Sequence, residues 1–154
     1  MTTSGVNSVD VKDLYDYLAR PGAGVVSYDK GYNVSTHKSE IDFADWLHSY
    51  YGGDIRLLSE STKDGVLMPD FIWNNKFWDL KSITTEKAAN SAIRKGLKQI
   101  EKNPGGVILD YGDADISIEF LLNVIQKRMQ WYKGANVDIM IVKNKRVIQI
   151  LRYK

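Results

Sequence analysis

The sequence predicts an α/β domain in which one mixed central sheet is flanked by helices. Three observations carry that reading. Stretches with the two-residue alternation of strands, bounded by Gly, Pro and Asn, fall between segments whose apolar residues recur every three or four positions. Val107-Ile108-Leu109 is a continuous apolar run that suits a strand covered on both faces, and it follows a helical segment, as in a parallel strand–helix–strand unit. The stretch from Met68 to Lys81, MPDFIWNNKFWDLK, places aromatic and aliphatic residues on either side of Asn74-Asn75, a pair that tolerates the positive φ of a tight hairpin turn.

Composition sets the outer bounds. The 154 residues are 44% hydrophobic and 26% charged, which suits a single domain over 1–154, with the polar residues 1–8 expected to be disordered. At this length about two thirds of the unfolded chain's surface can be buried, enough for a core without staples. The absence of cysteine excludes disulfides and thiolate metal sites, and two histidines, His37 and His48, are too few for a histidine-rich zinc site. No apolar run approaches the roughly 20 residues of a membrane span and no signal peptide is visible, so no membrane partner is expected. The net charge is only +2, so any nucleic-acid binding must rest on local clusters of charge.

Taken in order, Val9 to Ala19 reads as a short helix with Val11, Leu14, Tyr15 and Leu18 on one side, stopped by Arg20-Pro21-Gly22. Val25 to Tyr28 reads as a brief strand. A second helix begins near Ser39 and ends at the C-capping pair Gly52-Gly53. Its stripe is Ile41, Ala44, Leu47, His48 and Tyr51, widened by Phe43, Trp46 and Tyr50. Asp54 to Glu60 is a strand, Ser61 to Gly65 a polar loop, and the two hairpin strands follow. The next helix runs from about Thr85 to Lys102, capped by Thr84 or Thr85, with Ala89, Ala92, Ile93, Gly96, Leu97 and Ile100 inward. Its outer face carries Lys87, Arg94, Lys95, Lys98 and Lys102 against Glu86 and Glu101. Beyond the strand Val107 to Tyr111, a helix from Ser117 to Tyr132 and a hairpin, Val137 to Val142 with Arg146 to Tyr153, complete the chain.

Chemistry concentrates in the first hairpin. Alternation puts Phe77, Asp79 and Lys81 on one face of its second strand and Trp78 and Leu80 on the other, with Asp70 across the turn. Asp is disfavoured inside strands, and charges among aromatics are costly unless they are paired or hold a metal, so a functional site is expected where these rules conflict. The plain alternative is an Asp79–Lys81 ion pair with Asp70 capping a turn. Glu40 lies at the inward edge of the second helix, His37 just before it, and Gln99 borders the apolar stripe of the basic helix. The basic face starts beside the hairpin and is placed to follow a phosphate backbone through Arg94, Lys95 and Lys98. Trp73 and Trp78, read as exposed, offer stacking surfaces for bases, whereas Tyr50, Tyr51, Trp131 and Tyr132 read as core.

The sequence Pro69-Asp70, then Asp79-Leu80-Lys81, resembles the PD-(D/E)XK motif of metal-dependent nucleases, and the α-βββ-α-β order from Glu40 to Tyr111 is that of their core. The resemblance implies an endonuclease in which Asp70 and Asp79 hold Mg²⁺ or Mn²⁺, Lys81 acts on the attacking water or the scissile phosphate, and Glu40 assists. The segments HKSEIDFADWL, GGDIRLLSE, PDFIWNNKFWDLKS, AIRKGLKQI and GGVILDYG look like the C-terminal nuclease domains of bacterial polymorphic toxins, the CdiA C-terminal tRNase family. Similar domains are appended to phage minor head proteins. This resemblance spans about His37 to Arg152. It implies an RNase acting on tRNA in the cytoplasm of a target cell, delivered as part of a secreted toxin or phage particle. It also implies supporting roles for Gln99 and Glu40, and an immunity protein, expected to be acidic if it covers the basic helix. Asp79 departs from the Glu that many relatives carry, which would draw a metal closer to the strand. Related toxin nucleases are also assigned to a barnase/EndoU/colicin/RelE-like group that cleaves RNA without metal, which would turn attention to His37, Lys81 and Thr84 or Thr85. Metal-dependent cleavage of DNA, and nucleic-acid binding without catalysis, are the other readings left open.

Overall fold

The computed structural model describes residues 8–59, 68–134 and 136–153. Its elements are β1 (Ser8–Asp10), a 3-10 turn at Tyr15–Tyr17, β2 (Val26–Tyr28), α1 (Lys38–Tyr50), β3 (Ile55–Leu57), β4 (Phe71–Trp73) and β5 (Lys76–Ser82), then α2 (Glu86–Ile100), β6 (Gly105–Asp110), α3 (Ile118–Met129), β7 (Val137–Lys143) and β8 (Arg146–Tyr153). The strands form one sheet in the order β1-β8-β7-β6-β5-β4-β3-β2. β5, β6 and β7 run parallel, as do β2 and β3, and the other pairings are antiparallel. The mixed sheet and the α-βββ-α-β core with its added helix and hairpin are as the sequence predicts.

Local chemistry accounts for the elements nearest the site. Asn74 and Asn75 both have positive φ, 54° and 60°, which gives the tight turn whose twist matches the strands it joins. The side chain of Thr85 accepts from the backbone N–H of Ala88 at 3.2 Å and starts α2. At Gly105 and Gly106 a Cβ would lie 1.8 Å from the Phe77 carbonyl oxygen and 2.3 Å from the Trp78 ring, so this pair lets β6 start hard against β5.

Two cores lie on the two faces of the sheet. α1 covers one with Phe43, Ala44 and Leu47 over Ile55, Phe71, Trp73, Trp78 and Ile108. α2 and α3 cover the other with Ile93, Leu97, Leu121 and Ile125 over Val107, Leu109, Ile139 and Ile141. Consequently Trp78 and Leu80 face the α1 core, while Asp79 and Lys81 face α2.

Three expectations are corrected, the simplest being that Trp131, read as core, lies 74% exposed in the turn after α3, beyond the layer that α3 packs on the sheet. Val9 to Ala19 is not a helix: Ser8–Asp10 pairs with Leu151–Tyr153, and only the short turn at Tyr15–Tyr17 is helical. An isolated helix of that length is marginal, and the open edge of β8 captures the backbone instead. Leu14, Tyr15 and Leu18 are left exposed. Ser8 therefore belongs to a strand, while residues 1–7 lie outside the described set. Trp73 and Trp78 are not exposed either, at 1% and 0%. Their indole N–H groups donate to the carbonyls of Gly52 and Trp73, each at 3.0 Å, so both rings are satisfied core residues. Glu60 and the loop Ser61 to Gly65 fall outside the described residues.

Candidate active site

The hairpin builds the centre of the site. β4 begins at Phe71, and just before it the chain bends at Asp70. The Asp70 backbone N–H donates to the Trp78 carbonyl at 2.9 Å, and its carboxylate Oδ2 accepts from the Leu80 N–H at 2.6 Å. A side chain thus replaces the backbone acceptor where the ladder with β4 has ended. Asp79, next to Leu80 on the α2 face, is buried at 2% exposure. The Lys81 ammonium sits 3.0 Å from Asp79 Oδ2. It lies off the direction a hydrogen bond needs, so that buried oxygen has a counter-charge but no donor.

Glu40 approaches from α1. The Tyr32 hydroxyl, in the loop between β2 and α1, donates to Glu40 Oε1 at 2.8 Å. The Tyr32 ring stacks on Tyr28 with centroids 5.5 Å apart and meets the His37 ring at 5.1 Å. The negative charge of Asp70 acts on both Glu40 and Asp79. The start of β4 is thus where acidic groups from opposite faces of the sheet come together.

The electrostatics follow from that crowding. Burial, then the negative charge of Asp70, pushes the Asp79 carboxyl up to about 7, against the pull of Lys81. Burial and Asp70 likewise push Glu40 up to about 7, while the Tyr32 hydroxyl and the His37 charge pull it down. Beside the charge of Asp70, Glu40 and Asp79 give up their protons only as the pH reaches neutrality, unless a cation offsets the crowding. Among the described residues, no three His, Cys, Asp or Glu side chains are grouped so as to hold a metal ion by themselves. The donor set still suits a hard divalent ion such as Mg²⁺ or Mn²⁺, which commonly takes one or two carboxylates and completes its shell with water and phosphate, and the donorless Asp79 Oδ2 is the oxygen it would satisfy.

The other expected residues fall into place unevenly. Gly96 brings α2 down onto this face: a Cβ there would lie 2.8 Å from Val107 Cγ1 and 3.4 Å from Lys81 Cγ. Gln99, one turn further along, is half-buried, and its Oε1 is buried without a hydrogen-bond partner. His37 meets the site through Glu40 and Tyr32; its Nδ1 lies 2.8 Å from the Asn33 carbonyl oxygen and 3.1 Å from Thr36 Oγ1. Arg94, Lys95 and Lys98 are exposed on α2, as expected, with Arg94 and Lys98 turned toward α3. Thr85 is occupied as a helix cap. Sequence reasoning missed Tyr32 and Tyr28, whose signal was the spacing of Tyr28, Tyr32 and His37 across Gly31, legible as a stack only once the loop has a shape.

The sequence pattern of the contact-dependent growth inhibition CdiA C-terminal domain matches residues 68–148. A solved structure described as a CdiA-CT/CdiI toxin and immunity complex from Burkholderia pseudomallei is similar in fold, with a TM-score of 0.50 and 15% identity over 80% of this chain and 97% of that chain. No curated protein matches.

Proposed function

The chain belongs to the contact-dependent growth inhibition CdiA C-terminal domain family, and from that premise we propose that it is a toxin nuclease that cleaves RNA, with tRNA the substrate class. The observation that carries the proposal is the meeting of Asp70, Asp79 and Lys81 at the start of β4, with Glu40 beside them. Asp70 and Asp79 would hold a divalent cation, which when bound supplies positive charge against the scissile phosphate and acidifies coordinated water. Lys81 places an ammonium on a non-bridging phosphate oxygen as negative charge develops there. Glu40, ionised from near-neutral pH upward, is positioned by Tyr32 to accept a proton from the attacking water as the new P–O bond forms and the bond to the leaving sugar oxygen breaks. The solved neighbour is a complex of toxin and immunity protein, and by analogy an immunity protein is the proposed partner here.

The test is incubation of the purified protein with total tRNA and with plasmid DNA, with Mg²⁺ or Mn²⁺ and then with a chelator. Metal-dependent cleavage of tRNA is expected, rising with pH through about 7 as Glu40 ionises. Asp79→Asn and Lys81→Met should each lower it by about 10²–10³-fold, the usual cost of one electrostatic stabiliser. Wild-type rates in either variant would overturn the site. Cleavage that survives the chelator would move the chemistry to His37 and a metal-free route, and cleavage of plasmid alone would make the protein a DNase.

A further inference from the structure

α2 and α3 lie side by side, and between them runs a cleft of about 230 Å³. Arg94 and Lys98 line it from α2, Arg128 from α3, and Trp131 and Tyr132 from the turn that follows α3. Trp131 is 74% exposed, whereas Trp73 and Trp78 are buried. One exposed apolar side chain is ordinary. Its surroundings are not: among the described residues, Arg94, Lys98 and Arg128 have no ion-pair partner. Arg128 Nε donates to Asn90 Oδ1 at 2.7 Å, so a neutral group fixes the guanidinium and leaves its charge uncancelled. Glu101 is the one acidic residue in the lining.

We propose that this cleft binds a single-stranded segment of the nucleic-acid substrate, with one base on the Trp131 indole and the neighbouring phosphates at Arg94, Lys98 and Arg128. The proposal rests on the nuclease reading above and extends it to a second contact remote from the chemistry. A flat aromatic ringed by unpaired cations is the arrangement that holds single strands without regard to sequence. Position strengthens the assignment. One flank of α2 rests on Lys81 at Gly96, the other faces the cleft, and Lys95 is exposed between them. A helix with its side chains is about 10–12 Å across, so a strand leaving the carboxylates crosses a single basic helix to reach Trp131.

The experiment is binding of a fluorescently labelled 2′-O-methyl oligoribonucleotide of about 12 nucleotides, in chelator, which neither a metal-dependent nor a metal-free route should cut. Trp131→Ala should weaken binding about tenfold and Trp131→Phe far less, as stacking requires. Arg128→Ala should lower the slope of log K against log salt by about 0.7, one phosphate contact on a single strand, and Glu101→Gln should tighten binding. Because Trp131 is exposed, these changes should leave the fold intact. Wild-type affinity in Trp131→Ala, or an unchanged salt slope in Arg128→Ala, would overturn the proposal. So would variants that bind the oligonucleotide normally but lose an acidic protein partner, since the cleft would then be a protein-docking face. The two readings fail separately. A protein that binds through Trp131 but cuts nothing retains the cleft and loses the nuclease, whereas one that cuts at the Asp79 site with Trp131→Ala neutral loses only the cleft.

Discussion

Asp79 and Asp138 are both buried, at 2% and 3% exposure, yet one is short of partners and the other has a full set. Asp138, on β7, accepts from Lys76 Nζ at 2.8 Å, from Arg152 Nε at 2.8 Å and Nη2 at 3.0 Å, and from the Tyr17 hydroxyl. Arg152 also reaches Asp16 at 2.9 Å. Burial pushes the Asp138 carboxyl up, but the hydrogen bonds from Arg152, Lys76 and Tyr17 outweigh it and hold it below the ordinary range. Asp79 has one ammonium, an acidic neighbour and an oxygen without a donor, and it is driven up to about 7. Burial alone therefore does not mark a site. A buried carboxylate with every lone pair engaged ties the N-terminal segment to β5, β7 and β8, whereas one left under-satisfied is held ready for something else.

Substitution should separate the two. Asp138→Asn leaves Lys76 and Arg152 facing a neutral amide and should cost about 3 kcal/mol of stability, measured by denaturant unfolding. Because its folded-state carboxyl is held low, the stabilisation from Asp138 is present above the unfolded value and is lost as pH falls through the folded one. Asp79→Asn should act in the opposite direction. The folded state holds its proton to about pH 7 and the unfolded chain only to about 3.8, so wild-type stability falls as pH rises across that window. The amide keeps the neutral form throughout, so the variant should gain up to about 4 kcal/mol at pH 8 and almost nothing near pH 4, read as a difference in melting temperature against pH. A gain independent of pH would mean that the charge on Asp79 is not what destabilises the fold. The smallest effect belongs to Tyr32→Phe. Without its hydroxyl, Glu40 loses a bond that favours the ionised form, so the rise in cleavage rate should shift to higher pH with the plateau within about threefold of wild type. An unmoved profile would remove Tyr32 from the site.

What the sequence made legible was local. The Asn74-Asn75 turn, the shared face of Asp79 and Lys81, and the Thr85 cap each depend on a few neighbouring residues and a fixed period, and each is found. What it hid depends on distant partners. Val9 to Ala19 has helical apolar spacing, but the competing edge of β8 lies at the other end of the chain. Three tryptophans look alike in sequence. Only the layering of helices on the sheet buries Trp73 and Trp78 and leaves Trp131 out. A supporting role for Glu40 is what the resemblance implies, but the Tyr32 hydroxyl that orients Glu40 comes from a loop whose course no periodicity encodes.

The order of the sheet carries one more consequence. As far as it is described, the sheet ends on both sides in a strand of three residues, β1 and β2. At those two strands there is little ladder for another chain to extend, which discourages edge-to-edge pairing there. A protein partner that meets either of them would grip this molecule by its side chains rather than its backbone. An inhibitor would be selected against the particular charges and rings on the surface, which is a basis for telling one variant of a toxin from another.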